Sequence, residues 1–152
     1  MDAPANLKQA QRTAAVISGS FIMSVVIYGV VVNVFRVSQA PFEGFVKLAQ
    51  IELVRIALWA YTAVVLLLIP FMRRVLLTRP PGADERSAAA RLSRCAVITN
   101  ALAETPAVLG FVLVLLNGLY LDFYVLAAVS ILLILLYFPR YEAWEEWVKQ
   151  RP

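Results

Sequence analysis

Four apolar runs separated by short polar segments constrain this chain more than any other feature. They cover residues 14–35, 56–72, 95–116 and 118–138. An α-helix needs about 20 apolar residues to cross the hydrocarbon core of a bilayer, and each run is close to that length. Hydrophobic residues make up 61% of the sequence, against about 45–50% in soluble domains. The sequence therefore predicts one all-α integral membrane domain over residues 1–152, with four transmembrane helices in a lipid bilayer.

The distribution of basic residues predicts the orientation of these helices. The formal net charge is +4, and the basic residues lie beside the apolar runs. If both termini and the segment between the second and third runs lie inside, only three of the 14 Lys and Arg residues fall outside: Arg36, Lys47 and Arg55. This arrangement satisfies the positive-inside rule. We therefore expect both termini in the cytoplasm, a location in a bacterial inner (plasma) membrane, and no nucleic-acid partner.

The residue types that carry most catalytic and metal chemistry are scarce. The chain has no histidine and a single cysteine, Cys95. These absences exclude an intramolecular disulfide, His-ligated haem and most transition-metal sites. The sequence also contains no recognisable nucleophile–base pair, phosphate-binding loop or metal motif. We expect a protein that is not an enzyme and holds no cofactor or metal.

Two segments are predicted to lie along the membrane surface. Residues 41–55 begin with Pro41, a favoured helix start, and mix apolar with charged residues, which predicts an interfacial helix or, as the alternative, an extension of the second span. Residues 141–152 form an amphipathic tail in which one helical face is predicted to carry Tyr141, Trp144, Trp147 and Val148. This tail is predicted to anchor in the inner headgroup layer, and docking of a cytoplasmic partner is the alternative. The aromatic residues predicted as interface anchors are Trp59, Tyr61, Trp144 and Trp147.

Small and hydroxyl side chains indicate where helices contact one another. Ser20, Ser24 and Tyr28 recur at intervals of four residues in the first run, so they share one helical face, with Gly29 next in sequence. Gly110 lies in the third run. Because small residues and hydroxyl groups favour close helix packing in lipid, we interpret all five as helix-packing residues. A polar pathway across the membrane is the alternative for the stripe in the first run.

The two halves of the chain are similar to each other. At an offset of 81 residues, Ala15–Val32 aligns with Ala96–Leu113, and five of the aligned pairs are identical. Both copies start on the inside, which predicts a parallel repeat of two helical hairpins related by an axis along the membrane normal. Met23 in the first copy aligns with Glu104 in the second. The repeat therefore predicts a single acidic site per chain.

Glu104 is the one ionisable residue near the middle of an apolar run. A carboxylate at this depth costs a few kcal/mol, so it is predicted to face protein or trapped water rather than lipid. Asn100 lies one turn earlier and is predicted to hydrogen-bond the carboxyl group. Pro106 has no backbone N–H and leaves the carbonyl of Leu102 without its helical donor. The hydroxyl of Thr105 can fill this gap or can bond the carboxyl group of Glu104 instead. Glu104, Asn100, Thr105 and Pro106 form the predicted ion-binding or polar helix-contact site.

The stretch Ala101–Leu116, ALAETPAVLGFVLVLL, is similar to the ion-carrying helix of the rotary ATPase proteolipids, subunit c and its fused vacuolar-type relatives. In that family a mid-membrane carboxylate is followed by small or aromatic packing residues. The plan of two fused hairpins with one acid is similar as well. The resemblance implies that Glu104 is an ion-binding carboxylate. In the proteolipids the acid lies on the second helix of its hairpin and here it lies on the first, so the resemblance serves as an analogy for the site.

Two functions follow from these patterns. The first is a small polytopic membrane subunit that assembles with itself, as a homo-oligomer, or with other membrane proteins in a larger complex. Helix packing and the polar site at Glu104 would form that contact. The second is a proteolipid-like subunit that translocates a proton or a sodium ion, with Glu104 as the titrating carboxylate. The scarcity of other polar residues in the apolar runs favours the first function.

Overall fold

A computed structural model of the protein describes residues 3–46, 50–78 and 85–149. All regular secondary structure in these ranges is helical, and it comprises five helices: α1 Ala3–Ser38, α2 Ile51–Leu77, α3 Glu85–Asn117, α4 Tyr120–Leu136 and α5 Tyr141–Lys149. The prediction of an all-α chain is therefore confirmed for the described residues.

Three of these helices are long and apolar enough to cross a membrane, namely α1, α2 and α3. Helix α4 has 17 residues, and it meets the same criterion only when it is combined with α5, from which it is bent by 49°. The described part of the chain thus contains three such helices, or four if the bent pair counts as one. Large apolar side chains cover the exterior; Val16 is 74% exposed and Leu67 is 75% exposed. Such a surface suits lipid better than water.

Helix α3 is the centre of the bundle. It packs against α1, α2 and α4 along its length and contacts α5 near its start. The buried face of α3 carries small residues, including Ala103, Ala107 and Gly110. Small side chains let the backbones of neighbouring helices approach closely, which explains why one helix can hold three partners.

The two predicted hairpins are not equivalent in their packing. Helices α3 and α4 form a closely packed antiparallel pair, whereas no described Cα atom of α1 comes within 8 Å of a Cα atom of α2. Helix α1 instead packs on α3 and α4, and α2 packs on α3. The internal repeat therefore stays a prediction from the sequence alone.

The prediction of an interfacial helix over residues 41–55 is wrong for the first half of that range, whereas residues 51–55 belong to α2, in agreement with the alternative that they extend the second span. Residues 40–46 are irregular, residues 47–49 lie outside the described residues, and α2 begins at Ile51. The backbone N–H groups of Phe45 and Val46 donate to the carbonyls of Leu115 and Leu116, at N···O distances of 2.7 and 3.2 Å. These carbonyls belong to the last turn of α3, where carbonyl groups have no N–H donor within their own helix. The loop is irregular because it caps α3.

Gly44 allows this capping contact. Its φ angle is +90°, in the left-handed region, and a Cβ atom there would collide with the backbone of Leu116 and Asn117. Glycine has no Cβ atom and adopts this backbone conformation without a steric penalty. Residues 42–46 can therefore lie directly on the end of the α3–α4 pair.

The amphipathic tail forms α5, as the sequence predicts, but its apolar face packs on protein. Trp144 is 7% exposed and lies in a cluster with Leu7 and Ala14 of α1 and Leu92 of α3. The other residues of the predicted apolar face pack against the same cluster: Tyr141, Trp147 and Val148. Residues 150–152 of the predicted tail lie outside the described residues. Helix α5 thus closes the end of the bundle where the basic residues concentrate.

Candidate functional site

The carboxyl group of Glu104 lies in the crevice between α1 and α3. The hydroxyl of Tyr28 donates a hydrogen bond to Glu104 Oε1 over 3.0 Å. The phenol ring of Tyr28 stacks on the ring of Phe111, with 5.5 Å between the ring centroids. Phe111 lies two turns after Glu104, so the same face of α3 supplies both the acid and the ring that positions its donor.

One side of this crevice is open. Glu104 is half-buried, and its neighbours along the same stripe of α3 are exposed: Val97, Ala101 and Val108. Among the described residues, Tyr28 is the only hydrogen-bond or ion-pair partner of the carboxyl group. A carboxylate has about four acceptor positions, and most of those of Glu104 therefore have no partner within the described chain.

Asn100 does not bond Glu104, contrary to the sequence prediction. Its amide nitrogen donates to the hydroxyl of Ser18 on α1 over 2.7 Å, and Ser18 in turn donates to the carbonyl of Ala14 over 2.9 Å. Asn100 is 1% exposed, and its Oδ1 has no hydrogen-bond partner among the described residues. The Asn100 side chain turns toward α1 because Ser18 lies directly opposite it. Helical spacing alone does not reveal this partner.

The backbone beside Pro106 is bonded by a side chain of α4, and the hydroxyl of Thr105 bonds neither the carbonyl of Leu102 nor the carboxyl group of Glu104. The backbone N–H of Ala107 donates to Ser130 Oγ over 2.8 Å, and Ser130 Oγ donates to the carbonyl of Glu104 over 3.4 Å. Thr105 instead donates to the carbonyl of Ala101 in its own helix over 3.2 Å. Ser130 is fully buried, and it supplies the polar contacts that a proline-interrupted helix needs in an apolar environment.

The predicted packing residues fall into two groups. Gly110 is a close contact, because a Cβ atom there would lie 2.9 Å from the Cα atom of Phe123 on α4. Gly29 is not, since a Cβ atom there would meet nothing within 4 Å. Ser20 is exposed and Ser24 is half-buried, and both hydroxyls bond carbonyls of α1 itself. The face with Ser20, Ser24 and Gly29 is therefore not an internal packing surface of this chain.

A second acidic site, which the sequence reasoning missed, lies at the opposite end of the bundle from α5. Asp122 at the start of α4 is 4% exposed, and its Oδ1 accepts hydrogen bonds from Arg55 Nε at 2.9 Å and from Trp59 Nε1 at 2.8 Å. Arg55 also pairs with Glu52 of its own helix, but at 3.6 Å and with Glu52 exposed. Arg55 and Trp59 are four residues apart, a spacing that could have indicated this site.

The predicted interface anchors differ in their surroundings. Tyr61 is 52% exposed on α2, as an anchor would be. Trp59 is half-buried, and its indole N–H donates to Asp122. Trp144 is buried and Trp147 is half-buried, and both pack against the cluster formed by the starts of α1 and α3. Three of the four aromatic residues therefore join helices of the bundle, because their rings find larger apolar contacts there than on the surface.

The chemistry available at Glu104 is hydrogen bonding and proton exchange. No group of three or more His, Cys, Asp or Glu residues that could hold a metal ion occurs in the described part of the chain. Tyr28 can donate to the carboxyl group whether that group is protonated or ionised. The carboxyl group can therefore accept further donors from outside the described residues, or donate if it is protonated.

No protein-family model matches this sequence, and no curated protein or solved structure is significantly similar to it. The functional interpretation therefore depends on the geometry of the site.

Proposed function

We propose that this protein is a small membrane subunit that assembles with a second copy of itself or with another membrane protein through the open face of α1 and α3. The observation that supports this proposal is the incomplete hydrogen bonding of the Glu104 carboxyl group. Its carboxyl group is half-buried in a stripe of exposed apolar residues and has one hydrogen-bond donor, Tyr28. An intramembrane carboxylate in contact with lipid is costly, and a polar group on a neighbouring helix would remove that cost.

The surface around Glu104 suits a neighbouring transmembrane helix. Ala101 precedes it by one turn, and Ser24 and Ser20 lie one and two turns before Tyr28 on α1. Small side chains allow a second backbone to approach, and interhelical hydrogen bonds then contribute about 0.6–1.7 kcal/mol each. We define the open face as Ser20, Ser24, Tyr28, Ala101 and Glu104.

The charge distribution supports a membrane orientation for this subunit. One end of the described bundle carries Lys8 and Arg12 of α1, Arg73 and Arg74 of α2, Arg91 and Arg94 of α3, and Arg140. Under the positive-inside rule this end is cytoplasmic. Glu104 lies near the middle of α3 and so near the middle of the bilayer.

Ion translocation is the second candidate function. The row of hydroxyls on α1, Ser20, Ser24 and Tyr28, leads along the open face to Glu104. In this role the carboxyl group would exchange a proton or a sodium ion, as the similarity to the proteolipid helix implies.

Two substitutions of the same residue separate these functions. Glu104→Leu removes hydrogen bonding and titration, and we expect it to weaken assembly by about three- to tenfold, the equivalent of one interhelical hydrogen bond. Glu104→Gln keeps hydrogen bonding and removes titration, so it should assemble nearly as well as the parent chain. The measurement is the mass of the complex extracted from membranes in a mild detergent, over a range of protein concentrations.

A matched control is Thr105→Val, because the hydroxyl of Thr105 already bonds its own helix and lies off the open face. This variant should assemble like the parent chain. Unchanged assembly of Glu104→Leu would contradict the proposed subunit function. Loss of proton or sodium flux in vesicles for Glu104→Gln, with assembly intact, would establish the ion-carrying function instead.

A further inference from the structure

A cavity of about 120 Å³ lies at the basic end of the bundle, between the ends of α2 and α4 and the starts of α3 and α5. A water molecule takes up about 30 Å³ in the liquid, so the cavity has room for a group about the size of a phosphate. The lining residues that matter for the argument are Arg73, Leu92, Cys95, Tyr137, Arg140 and Trp144.

Two guanidinium groups contribute to this cavity, and none of its described lining residues is acidic. Arg73 lies over the ring of Tyr137, with its Cζ atom 4.7 Å from the ring centroid. Neither Arg73 nor Arg140 has a carboxylate partner among the described residues. Stacking on an aromatic ring holds a guanidinium group in place and leaves its N–H donors available to an anion.

The remaining walls are apolar and aromatic. Leu92 and Trp144 are both buried, and they belong to the cluster that joins α1, α3 and α5. Cys95 in the cavity wall is the first residue of the apolar run of α3 and directly follows Arg94. If the helices cross a membrane, the cavity therefore lies at the boundary between the hydrocarbon core and the headgroups of the cytoplasmic leaflet.

We propose that this cavity binds the phosphate group of an anionic phospholipid from the cytoplasmic leaflet. Arg73 and Arg140 donate hydrogen bonds to the phosphate oxygens, since guanidinium groups match phosphate geometry. Basic pockets between transmembrane helices on the cytoplasmic side are suited to such headgroups. The exposed apolar residues Phe71 and Val75 of α2 offer a surface for the acyl chains. The inference depends on the membrane location of the helices and is independent of Glu104.

The test compares two double variants that remove the same charge. Arg73→Gln with Arg140→Gln changes the cavity, whereas Arg74→Gln with Arg94→Gln changes exposed residues outside its lining. Delipidated protein in detergent is titrated with phosphatidylglycerol or phosphatidylcholine, and bound lipid is counted by native mass spectrometry. We expect the cavity variant to bind phosphatidylglycerol about tenfold more weakly, and the control to stay within about threefold because exposed charges are screened.

Equal losses in the two double variants would overturn the proposal, because they would show general charge attraction only. Equal binding of phosphatidylcholine and phosphatidylglycerol by the parent chain would overturn it as well. Inorganic phosphate is added alone in a separate titration; binding of phosphate without binding of phosphatidylglycerol would rule out a lipid as the source of the group. The single variant Arg140→Gln controls for misfolding of the double variant, because an exposed side chain can be replaced with little effect on the fold. Arg140→Gln should still weaken phosphatidylglycerol binding measurably.

Discussion

Asp122 and Glu104 are two acids in apolar helices, and their surroundings differ. Asp122 is 4% exposed and accepts hydrogen bonds from the guanidinium of Arg55 and the indole of Trp59. Glu104 is half-buried and accepts a single hydrogen bond from the phenol of Tyr28. Asp122 thus has a cation and a second donor from its own chain. Glu104 has neither a cation nor a second donor among the described residues.

The difference separates a structural acid from one suited to function. Asp122 ties the start of α4 to α2, two helices whose described Cα atoms stay more than 8 Å apart. A buried acid with its cation in place contributes to the fold, and removing one member leaves the other uncompensated. An intramembrane acid whose partners are incomplete marks a functional contact. Glu104 is therefore the residue at which a partner or an ion is expected to act.

The largest effect is expected from Asp122→Asn. This substitution removes the charge that pairs with Arg55 and loosens the link between α2 and α4, and it should lower the melting temperature in detergent by about 5 °C or more. The control is Glu52→Gln, because the Glu52 side chain is 73% exposed and 3.6 Å from Arg55. Thermal unfolding should barely change in the control. Equal shifts in the two variants would contradict a structural role that is specific to Asp122.

The contrast between covered and open faces extends to two glycines. Gly110→Ala would place a Cβ atom 2.9 Å from the Cα atom of Phe123, and the overpacking should destabilise the protein by about 1–3 kcal/mol. Gly29→Ala meets nothing within 4 Å, and it should be neutral or stabilising by up to about 1 kcal/mol, since alanine favours helix. Reversible unfolding in mixed micelles measures both. A destabilising Gly29→Ala would show that this face is already covered within the chain.

Ser130→Ala tests the backbone behind Glu104. The hydroxyl of Ser130 accepts from the N–H of Ala107 and donates to the carbonyl of Glu104. Its removal leaves both backbone groups without that partner, and we expect a loss of about 1 kcal/mol in the free energy of unfolding. Ser24→Ala is the control, because that hydroxyl bonds only its own helix. Equal stability of the two variants would show that the backbone groups of Ala107 and Glu104 do not need the serine.

The smallest effect is expected at the contact that defines the open site. A double-mutant cycle with Tyr28→Phe and Glu104→Leu should give a coupling energy of about 0.6 kcal/mol, and no more than about 1.7 kcal/mol. The measurement is the free energy of unfolding of the monomer in detergent. A coupling of several kcal/mol would show that Glu104 is held as firmly as Asp122, and the distinction between the two acids would then fail.

Several features of the fold follow from the sequence because they depend on residues close together in the chain. The apolar runs predict the helices, although α1 extends beyond the first run at both ends and α4 ends at Leu136. Helical periodicity places Tyr141, Trp144, Trp147 and Val148 on one face, and that face is apolar in the structure. A hydrophobic stripe can be identified without knowing what covers it.

The contacts of individual polar groups do not follow from the sequence. Asn100 bonds Ser18 of α1, Ala107 bonds Ser130 of α4, and Arg55 prefers Asp122 to its neighbour Glu52. Each pair is separated by more than twenty residues except Arg55 and Glu52. The rotation and depth at which two helices meet decide such pairs, and many small packing contacts determine both.

By itself, the sequence determined that the chain is helical and apolar enough for a membrane, that its basic charge lies at one end, and that Glu104 is an unusual residue in its helix. The tertiary structure decided that Glu104 meets Tyr28 on an open face and that Asp122 is neutralised by Arg55. The physical reason is that periodicity shows which side chains share a face, whereas only packing determines which faces meet and which remain exposed.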